Sequence, residues 1–395
     1  MQLVEQHIIK PSHPIYEELD RAAMLSKNLY NQALYRVRQQ FFKDKTYLKY
    51  SVLDKILSRE KQTDYTALPA KVSQWVLKQV DNNFASFFGS LKSPKVNHKV
   101  RLPHYLAKDG RNLLTYTIQA ISKRSLKKSY LKLSGGNGEI KITHTNVQQV
   151  RVTPKNGFYL LEVIYNQEEK VREDNGNYVG VDIGVGNLAT CGGNTIKPFI
   201  INGKPLKSIN QYYNKKLAKL RSRRDKCQNK KVNSKKIRSL TNKRNNKVKD
   251  YMHKASRMLV NRLVSENVSK IVIGHNKEWK QDSNIGKRNN QNFVCIPYNI
   301  FIEMVTYKAK LEGITVIVRE ESHTSKCSFL DNEPICHHSK YAGRRIKRGL
   351  FRSSDGRLIN ADLNGALNIL RKEVPNAYKG NGIEVCSTPA VLTAK

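Results

Sequence analysis

Acidic residues are scarce in this sequence of 395 residues, where 32 Asp and Glu stand against 71 Lys and Arg and give a formal net charge of +39. A folded chain with so much charge of one sign repels itself unless it binds a polyanion. The imbalance therefore predicts a nucleic-acid partner. Two alternatives stay open at this stage, a surface charged for solubility and a protein that only coats RNA.

Long apolar runs and cysteine pairs are also missing. No stretch approaches the roughly 20 apolar residues of a membrane span, and the first residues lack the basic and apolar regions of a signal peptide. The six cysteines are scattered and no two are spaced as CxxC, which argues against a disulfide framework and favours a reducing compartment. We therefore expect a cytoplasmic protein without membrane attachment.

Hydrophobic periodicity predicts an α+β protein with more than one domain. After a strand-forming opening, apolar residues recur at spacings of three and four from Ile15 to about Lys45 and again beyond Pro69, which predicts two helices. Between Val100 and Tyr165, short β-rich segments alternate with Gly and Asn turns. They predict a small antiparallel β-domain, closed as a barrel, with the helices inserted ahead of it.

A polar linker from Asn166 to Asn177 leads into a second domain, in which the stretch from Lys215 to Lys254 holds 17 Lys or Arg and only two acids. Its apolar seam is thin, so we expect two long helices packed as a hairpin with an exposed basic side. A solvated charged face is the alternative, but the charge density favours a track for phosphates. The candidate phosphate contacts are Lys215, Lys216, Arg221, Arg223, Arg224, Lys230, Lys231, Lys235, Lys236 and Arg244.

Two aspartates are the strongest candidates for chemistry. Asp182 ends the apolar strand that begins at Tyr178, where a buried carboxylate is costly unless a cation or hydrogen bonds satisfy it. Asp362 lies in the first turn of a helix that starts at Asn360. Each alone could be a turn cap or a charge that complements a helix dipole. Together they could converge on two divalent cations, which prefer carboxylate oxygens and can promote phosphodiester hydrolysis.

Three segments in this order resemble the TnpB proteins of insertion sequences, which are compact RNA-guided nucleases related to type V CRISPR effectors. The segments are Gly180-Val-Asp182-Ile-Gly184, Glu321-Ser-His-Thr-Ser-Lys-Cys and Asn360-Ala-Asp362-Leu-Asn-Gly-Ala-Leu-Asn-Ile-Leu. Each is a weak signal singly, but their order and spacing are specific, and the resemblance extends over nearly the whole chain.

The resemblance implies a fold and a function. It implies a wedge-type β-barrel over residues 1–17 and 100–172, a helical recognition insert over 18–99, and a RuvC domain of RNase H-like fold over 173–395, with a basic helical hairpin over 205–266. It also implies a guide RNA from the element, double-stranded target DNA read beside a short flanking motif, and cleavage that depends on Mg²⁺ or Mn²⁺. Such a protein would work in the prokaryotic cytosol or nucleoid.

The sequence departs from the family where the middle RuvC strand usually ends in a metal-binding Glu, because Gly274 stands there. We expect Glu320 or Glu321, at the end of the next strand, to supply the third carboxylate beside Asp182 and Asp362. Alternation along a strand sends the two glutamates to opposite faces, and the sequence does not choose between them. Gly274 also keeps a rival open, an RNA-guided DNA-binding protein that no longer cuts; a transposase is a weaker alternative.

A second departure concerns zinc, because relatives commonly carry a four-cysteine ribbon ahead of the last helix. Residues 322–357 hold no CxxC pair, and this spacing does not fit a zinc ribbon, so we expect a degenerate zinc-finger-like loop without structural zinc. The possible ligands there are Cys327, Cys336, His337 and His338. The basic side chains of the same loop predict contact with nucleic acid, and the candidates are Arg344, Arg345 and Arg348.

Overall fold

The computed structural model describes residues 1–93, 100–226, 235–276, 286–378 and 388–394. The chain is a mixed α/β protein that divides into two compact units, Met1–Gln167 and Glu168–Lys395. No helix among the described residues is both long and apolar enough to cross a membrane.

The first unit combines an antiparallel sheet with helices. Its strands are β1 (Gln2–Ile9), β2 (Leu114–Thr117), β3 (Tyr130–Lys132), β4 (Glu139–Lys141), β5 (Val147–Lys155) and β6 (Phe158–Asn166). Its helices are α1 (Tyr16–Asp44), α2 (Tyr50–Arg59), α3 (Thr63–Ala67), α4 (Ala70–Lys92) and α5 (Lys123–Lys127). Helices α1 and α4 are the two that the periodicity predicted, and their apolar faces pack against each other and against β2.

The sheet of the first unit is open. Its order is β1-β6-β5-β2, with every neighbouring pair antiparallel, while β3 and β4 pair separately. The two-residue turn Asn156-Gly157, with Gly157 at a φ of +89°, joins β5 to β6 as tight hairpins require. The prediction of a closed barrel is therefore wrong for the described residues: α1 and α4 pack on β2 and complete the core, so the edges of the sheet do not meet.

The second unit contains a larger sheet and longer helices. Its strands are β7 (Tyr178–Asp182), β8 (Asn187–Gly193), β9 (Phe199–Asn202), β10 (Lys270–Gly274), β11 (Thr315–Arg319), β12 (Arg344–Lys347), β13 (Leu350–Arg352), β14 (Leu358–Asn360) and β15 (Ala390–Leu392). Its helices are α6 (Lys204–Asp225), α7 (Lys235–Ser265), α8 (Lys287–Val294), α9 (Tyr298–Leu311) and α10 (Ala361–Glu373).

Six of these strands form one sheet in the order β11-β10-β7-β8-β9-β15, and β12, β13 and β14 form a second, small one. Strands β7, β8 and β9 are antiparallel neighbours, whereas β10 runs parallel to both β7 and β11. Parallel neighbours need crossover connections, and α7 and α9 lie on the connections into β10 and β11. The carboxyl ends of β7, β10 and β11 therefore share one edge of the sheet.

Helix α10 lies directly on β7 and β8 because glycines leave room for it. A β-carbon added at Gly180 would overlap the carbonyl oxygen of Ala366, and one at Gly192 would come within 2.6 Å of Leu363 Cδ1. This close seating brings the first turn of α10, which carries Asp362, toward the end of β7.

Helices α6 and α7 pack against each other and form the predicted basic hairpin. The two helices extend beyond the run of charges, back to Lys204 and on to Ser265, and the second half of α7 packs against α9 with its buried apolar face. The charges therefore mark only the outer part of a longer structural element.

Candidate active site

The site begins at the ends of two neighbouring parallel strands. Asp182 is the last residue of β7 and Gly274 is the last residue of β10. Val181 pairs with Ile273 in the register of these strands, so Gly274 lies beside Asp182, one step beyond the last registered pair. Gly274 in turn pairs with Arg319 at the end of β11, and Glu320 and Glu321 follow directly. The position that lacks a carboxylate therefore lies next to Asp182.

Glu321 points into the space beside Gly274. A β-carbon added at Gly274 would lie 2.8 Å from Glu321 Oε2, so this carboxylate occupies room that a side chain at position 274 would need. The loop that carries Glu321 is held on both sides. Its amide donates a hydrogen bond to Asn276 Oδ1 (3.0 Å), and its carbonyl accepts one from Thr324 Oγ1 (2.8 Å).

Glu320 points the other way and has its own partners. Its Oε2 accepts a hydrogen bond from Lys372 Nζ at 2.8 Å, the amide and hydroxyl of Ser322 bind its carboxylate, and 57% of its side chain is exposed. The hydrogen bonds from Lys372 and Ser322 lower the pKa of Glu320 to about 2. The structure thus separates two glutamates that the sequence left equivalent.

Asp362 is held at the start of α10. The Oδ1 of Asn360 accepts hydrogen bonds from the amides of Asp362 (3.0 Å) and Leu363 (3.1 Å), which caps the helix. The two carboxylate oxygens of Asp362 accept hydrogen bonds from Asn187 Nδ2 (2.7 Å) and Arg345 Nη2 (2.9 Å).

Helix α10 also contacts Asp182 itself. A β-carbon added at Gly365, one turn beyond Asp362, would lie 2.9 Å from Asp182 Oδ2. A residue larger than glycine would therefore push against the carboxylate of Asp182, and the helix that carries Asp362 also fixes the space available to Asp182.

The electrostatics of the site favour a bound cation. Burial raises the pKa of Asp182 well above its ordinary value, and the nearby charges of Asp362 and Glu321 raise it further, against the opposing effect of Arg345. Burial, and then the neighbouring Glu320, raise the pKa of Glu321 to about 7, against the effect of Lys372. A bound divalent cation would relieve this repulsion, since it favours the charged forms.

Carboxylate and amide oxygens also make a donor set that suits a hard cation. Within the described ranges, however, no group of three or more His, Cys, Asp or Glu side chains is gathered closely enough to hold a metal as it stands. The Arg345 guanidinium on Asp362 places a positive charge at this site. The residues present therefore fit a divalent cation by their chemistry, but the described side chains are not gathered into a complete metal site.

The raised pKa values predict how stability depends on pH. Between the ordinary pKa of a glutamate, 4.5, and about 7, the folded chain binds more protons at Glu321 than the unfolded chain does. The contribution of Glu321 to the free energy of unfolding therefore falls as pH rises through this window. In EDTA, we expect Glu321→Gln to raise the melting temperature relative to wild type at pH 8 more than at pH 5, measured by thermal unfolding. An equal difference at both values would contradict this assignment.

The predicted phosphate contacts divide into several groups. Five of them line a groove between α6 and α7, together with three cations that the sequence reasoning did not single out, Lys219, Lys243 and Lys247. The five are Lys216, Arg223, Lys235, Lys236 and Arg244. The remaining candidates on α6 do not line the groove, and they are Lys215, Arg221 and Arg224. Lys230 and Lys231 lie outside the described residues.

The three arginines of the loop lie near the carboxylates to different extents. Arg345 binds Asp362, and Arg348 Nη2 lies 3.8 Å from the place a β-carbon of Gly186 would take, on the turn between β7 and β8. Arg344 is exposed on β12. Arg345 and Asp362 lie 17 positions apart in the sequence, and no sequence pattern predicted their contact.

The loop over residues 322–357 is anchored by side-chain amides of α10. Cys327 Sγ contacts the carbonyl of Cys336 (3.6 Å), and Cys336 Sγ lies 3.4 Å from His338 Nε2. Two buried asparagines of α10 hold the loop: Asn364 binds the amide of Phe329 and the carbonyl of Cys327, and Asn368 binds the carbonyls of Thr324 and Cys327. The sequence reasoning took Asn364 only as a neighbour of Asp362 and Asn368 only as part of the helix it had singled out, and it predicted this anchoring role for neither.

Two protein families match parts of the second unit. The family described as a probable transposase, OrfB of IS605, matches residues 161–280. The Cas12f1-like TNB domain matches residues 298–369. The first match covers the strand with Asp182, and the second covers both Glu321 and Asp362.

Two curated relatives are similar in sequence. A CRISPR-associated endodeoxyribonuclease, Cas12f2 of Micrarchaeota archaeon (strain CG1_02_47_40), is 29% identical over 251 residues, which cover 58% of this chain and 43% of that protein. The chain thus spans less than half the length of this relative. The TnpB-like protein ORF457 of Acidianus two-tailed virus is 26% identical over 413 residues, which cover 90% of this chain and 83% of that protein.

Solved structures share the fold. The Cas12f1 chain in a complex with single-guide RNA and target DNA matches with a TM-score of 0.56 at 16% identity, covering 90% of this chain and 82% of that one. The mini-RNA-guided endonuclease CRISPR-Cas phi3 matches with a TM-score of 0.51 at 10% identity, covering 97% and 93%. The chain is thus similar in sequence to the OrfB and Cas12f1-like families over two separate stretches and to a TnpB-like protein over most of its length, and it shares its fold with the Cas12f1 chain.

Proposed function

We propose that this chain is an RNA-guided DNA endonuclease encoded by a transposable element, which cuts target DNA beside a short flanking motif in a RuvC-type site. The observation that carries the proposal is the carboxylate of Glu321, which fills the space beside Gly274 and so returns a third carboxylate to the neighbourhood of Asp182 and Asp362. The endodeoxyribonuclease relative and the Cas12f1 complex with guide RNA and target DNA support the same activity.

In this proposal Asp182, Asp362 and Glu321 are the ligands of Mg²⁺ or Mn²⁺. Two such cations would activate the attacking water and stabilise the leaving oxygen of the phosphodiester. Asn187 orients Asp362 through its hydrogen bond, and Gly365 leaves the carboxylate of Asp182 the room it needs. Glu320 is left out of the ligand set, since it is exposed and paired with Lys372.

Arg345 has a second role in the proposal. Its guanidinium neutralises Asp362 in the present state and is about half exposed. A phosphate of the target strand beside the carboxylates would offer the Arg345 guanidinium a bidentate partner with the same single negative charge as Asp362. We therefore assign Arg345 to a backbone phosphate next to the cleaved bond, while Arg344 and Arg348 contact phosphates farther along the same strand.

The first unit is assigned to the flanking motif and the guide RNA. A recess of about 440 Å³ lies between α4 and the sheet, and exposed or half-exposed polar side chains line it. Amide and guanidinium groups are the donors that read base edges in a DNA groove. The polar residues that would do so are Asn82, Gln149 and Arg151. In this reading the open sheet takes the place of the wedge barrel and α1–α4 form the recognition insert.

Two other functions remain as rivals. A DNA-binding protein that no longer cuts is favoured by one observation, the glycine at position 274. The carboxylate of Glu321 in that space weighs against it, because carboxylates that repel one another are costly to the folded protein and would serve no purpose in an inactive site. A transposase is favoured only by the description of the matched family.

The test of the function uses the protein purified with its co-expressed RNA. That RNA is sequenced, and a plasmid with the matching target and randomised flanks is incubated with the complex at neutral pH. We expect cutting beside one short motif in Mg²⁺ and an intact plasmid in EDTA. Target binding is measured on the same samples, and a wild-type complex that binds but never cuts in Mg²⁺ or Mn²⁺ would establish the RNA-guided DNA-binding protein that no longer cuts instead.

A further inference from the structure

The groove between α6 and α7 has a use that the nuclease site does not explain. Its volume is about 1020 Å³, and its lining residues recur every three or four positions along both helices, so each helix contributes one face. The groove lies on the outer part of the hairpin, beside the contact that Tyr213 Oη makes with Thr241 Oγ1 (3.2 Å). It is therefore a continuous surface formed by the two helices together.

The rims of the groove carry one sign of charge. Eight Lys and Arg side chains line it, three from α6 and five from α7, and its lining within the described residues contains no Asp or Glu. Such a surface fits a polyanion, and each phosphate bound there would release counterions and make binding depend on salt.

The floor of the groove is apolar. Ile209, Leu220 and Leu240 line it and are half-buried. Tyr212 lies on the same face with 60% of its surface exposed, and Lys216 Nζ lies 5.7 Å from the centre of its ring. A phosphate track alone needs neither apolar floor nor exposed ring. Both suit unpaired bases, which stack on aromatic side chains.

We propose that this groove binds an unpaired stretch of RNA, with phosphates on the basic rims and at least one base stacked on Tyr212. A duplex would present only its backbone, because its bases are already paired and stacked. Two serine hydroxyls, Ser208 and Ser239, line the groove and can pair with the 2′-hydroxyl that distinguishes RNA from DNA. That the RNA is the guide rests on the proposed function; the binding itself does not.

The test measures binding of the full chain, freed of RNA by nuclease and high salt and kept in EDTA. The probes are an unstructured 20-nucleotide RNA, the same strand annealed to its complement, and DNA of the same sequence. Tyr212→Ala should weaken binding of the single-stranded RNA about 5- to 150-fold, the range expected for one stacked base. Tyr212→Phe keeps the ring and should stay within about twofold of wild type, and the duplex should respond to neither change.

A matched pair of charge variants tests the rims. Lys219, Lys243 and Lys247 line the groove, whereas Lys204, Arg238 and Lys249 are exposed on the same helices outside it. Replacing the first three with Ala should lower the salt dependence of single-strand binding by about 2 in the slope of log K against log salt, at about 0.7 for each phosphate contact. Replacing the second three removes the same charge and should change that slope by less than half as much.

Three results would overturn the inference. The first is a Tyr212→Ala variant that binds the single-stranded RNA as tightly as wild type does, or whose affinity for the RNA duplex falls as much as its affinity for the single strand. The second is equal slopes for the two triple variants. The third is a Tyr212-dependent preference for single-stranded DNA over RNA. Because none of these readouts needs cleavage, failure here leaves the nuclease test intact, and failure of cleavage leaves this test valid.

Discussion

Replacement of Glu321 by Gln should reduce target cleavage by about three orders of magnitude, because a lost ligand to catalytic cations costs several kcal/mol of transition-state stabilisation and each 1.4 kcal/mol is a factor of ten. Gln has the same shape, so the space beside Gly274 stays filled and target binding should remain. The measurement is the single-turnover cleavage rate of the purified RNA complex on its matched target in Mg²⁺, with binding of the same target measured in EDTA.

Glu320 supplies the matched control for this experiment. It is the neighbouring residue and has the same side chain, but it is exposed and paired with Lys372. Glu320→Gln should therefore keep the cleavage rate within about twofold, as most surface substitutions do. Equal losses in both variants would mean that the loop, and not the Glu321 carboxylate, matters. Full activity in both variants would show that neither glutamate is the third metal ligand.

Replacement of Asp182 by Asn should change activity and stability in opposite directions. Cleavage should fall to background, because Asp182 is the buried carboxylate on which both Asp362 and Glu321 act electrostatically. In EDTA at pH 8 the melting temperature should rise, because burial and two like charges raise the pKa of Asp182 and make its charged form costly in the folded chain. Thermal unfolding and cleavage of the same preparation check both parts.

A suitable control for that variant is Asp225→Asn. Asp225 ends α6, is exposed and pairs with Arg224. It should keep its activity and show no rise in melting temperature. A loss of both stability and cleavage in Asp182→Asn would indicate that Asp182 is needed for folding, which would contradict the view that it is strained in the absence of a cation.

Sequence periodicity was enough to predict the elements that carry the site. The strand ending at Asp182, the helix beginning at Asn360 and the basic hairpin all follow from local spacing of apolar and charged residues. The closed barrel was not predictable in the same way. Whether a small sheet closes depends on what packs against it, and here α1 and α4, which lie between β1 and β2 in the sequence, complete the core.

The choice between Glu320 and Glu321 depended on three-dimensional information. Alternation sets the two side chains on opposite faces but does not say which face is inward. Parallel pairing places Gly274 beside Arg319, and the absent side chain at Gly274 leaves the room that Glu321 takes. The contact between Arg345 and Asp362 likewise arises from the fold of an irregular loop, for which the sequence has no periodic signal.

The claim that Glu321 replaces the carboxylate usually borne at position 274 is tested most directly by moving that carboxylate back. Ile369 Cδ1 is the atom that a side chain at position 274 would meet first, so the restoring variant combines Gly274→Glu with Ile369→Val and Glu321→Ala. The measurement is the Mg²⁺-dependent single-turnover cleavage rate on a matched target. The account predicts that Glu321→Ala alone does not cut and that the restoring variant regains at least about tenfold over it. Wild-type cleavage by Glu321→Ala would contradict the account.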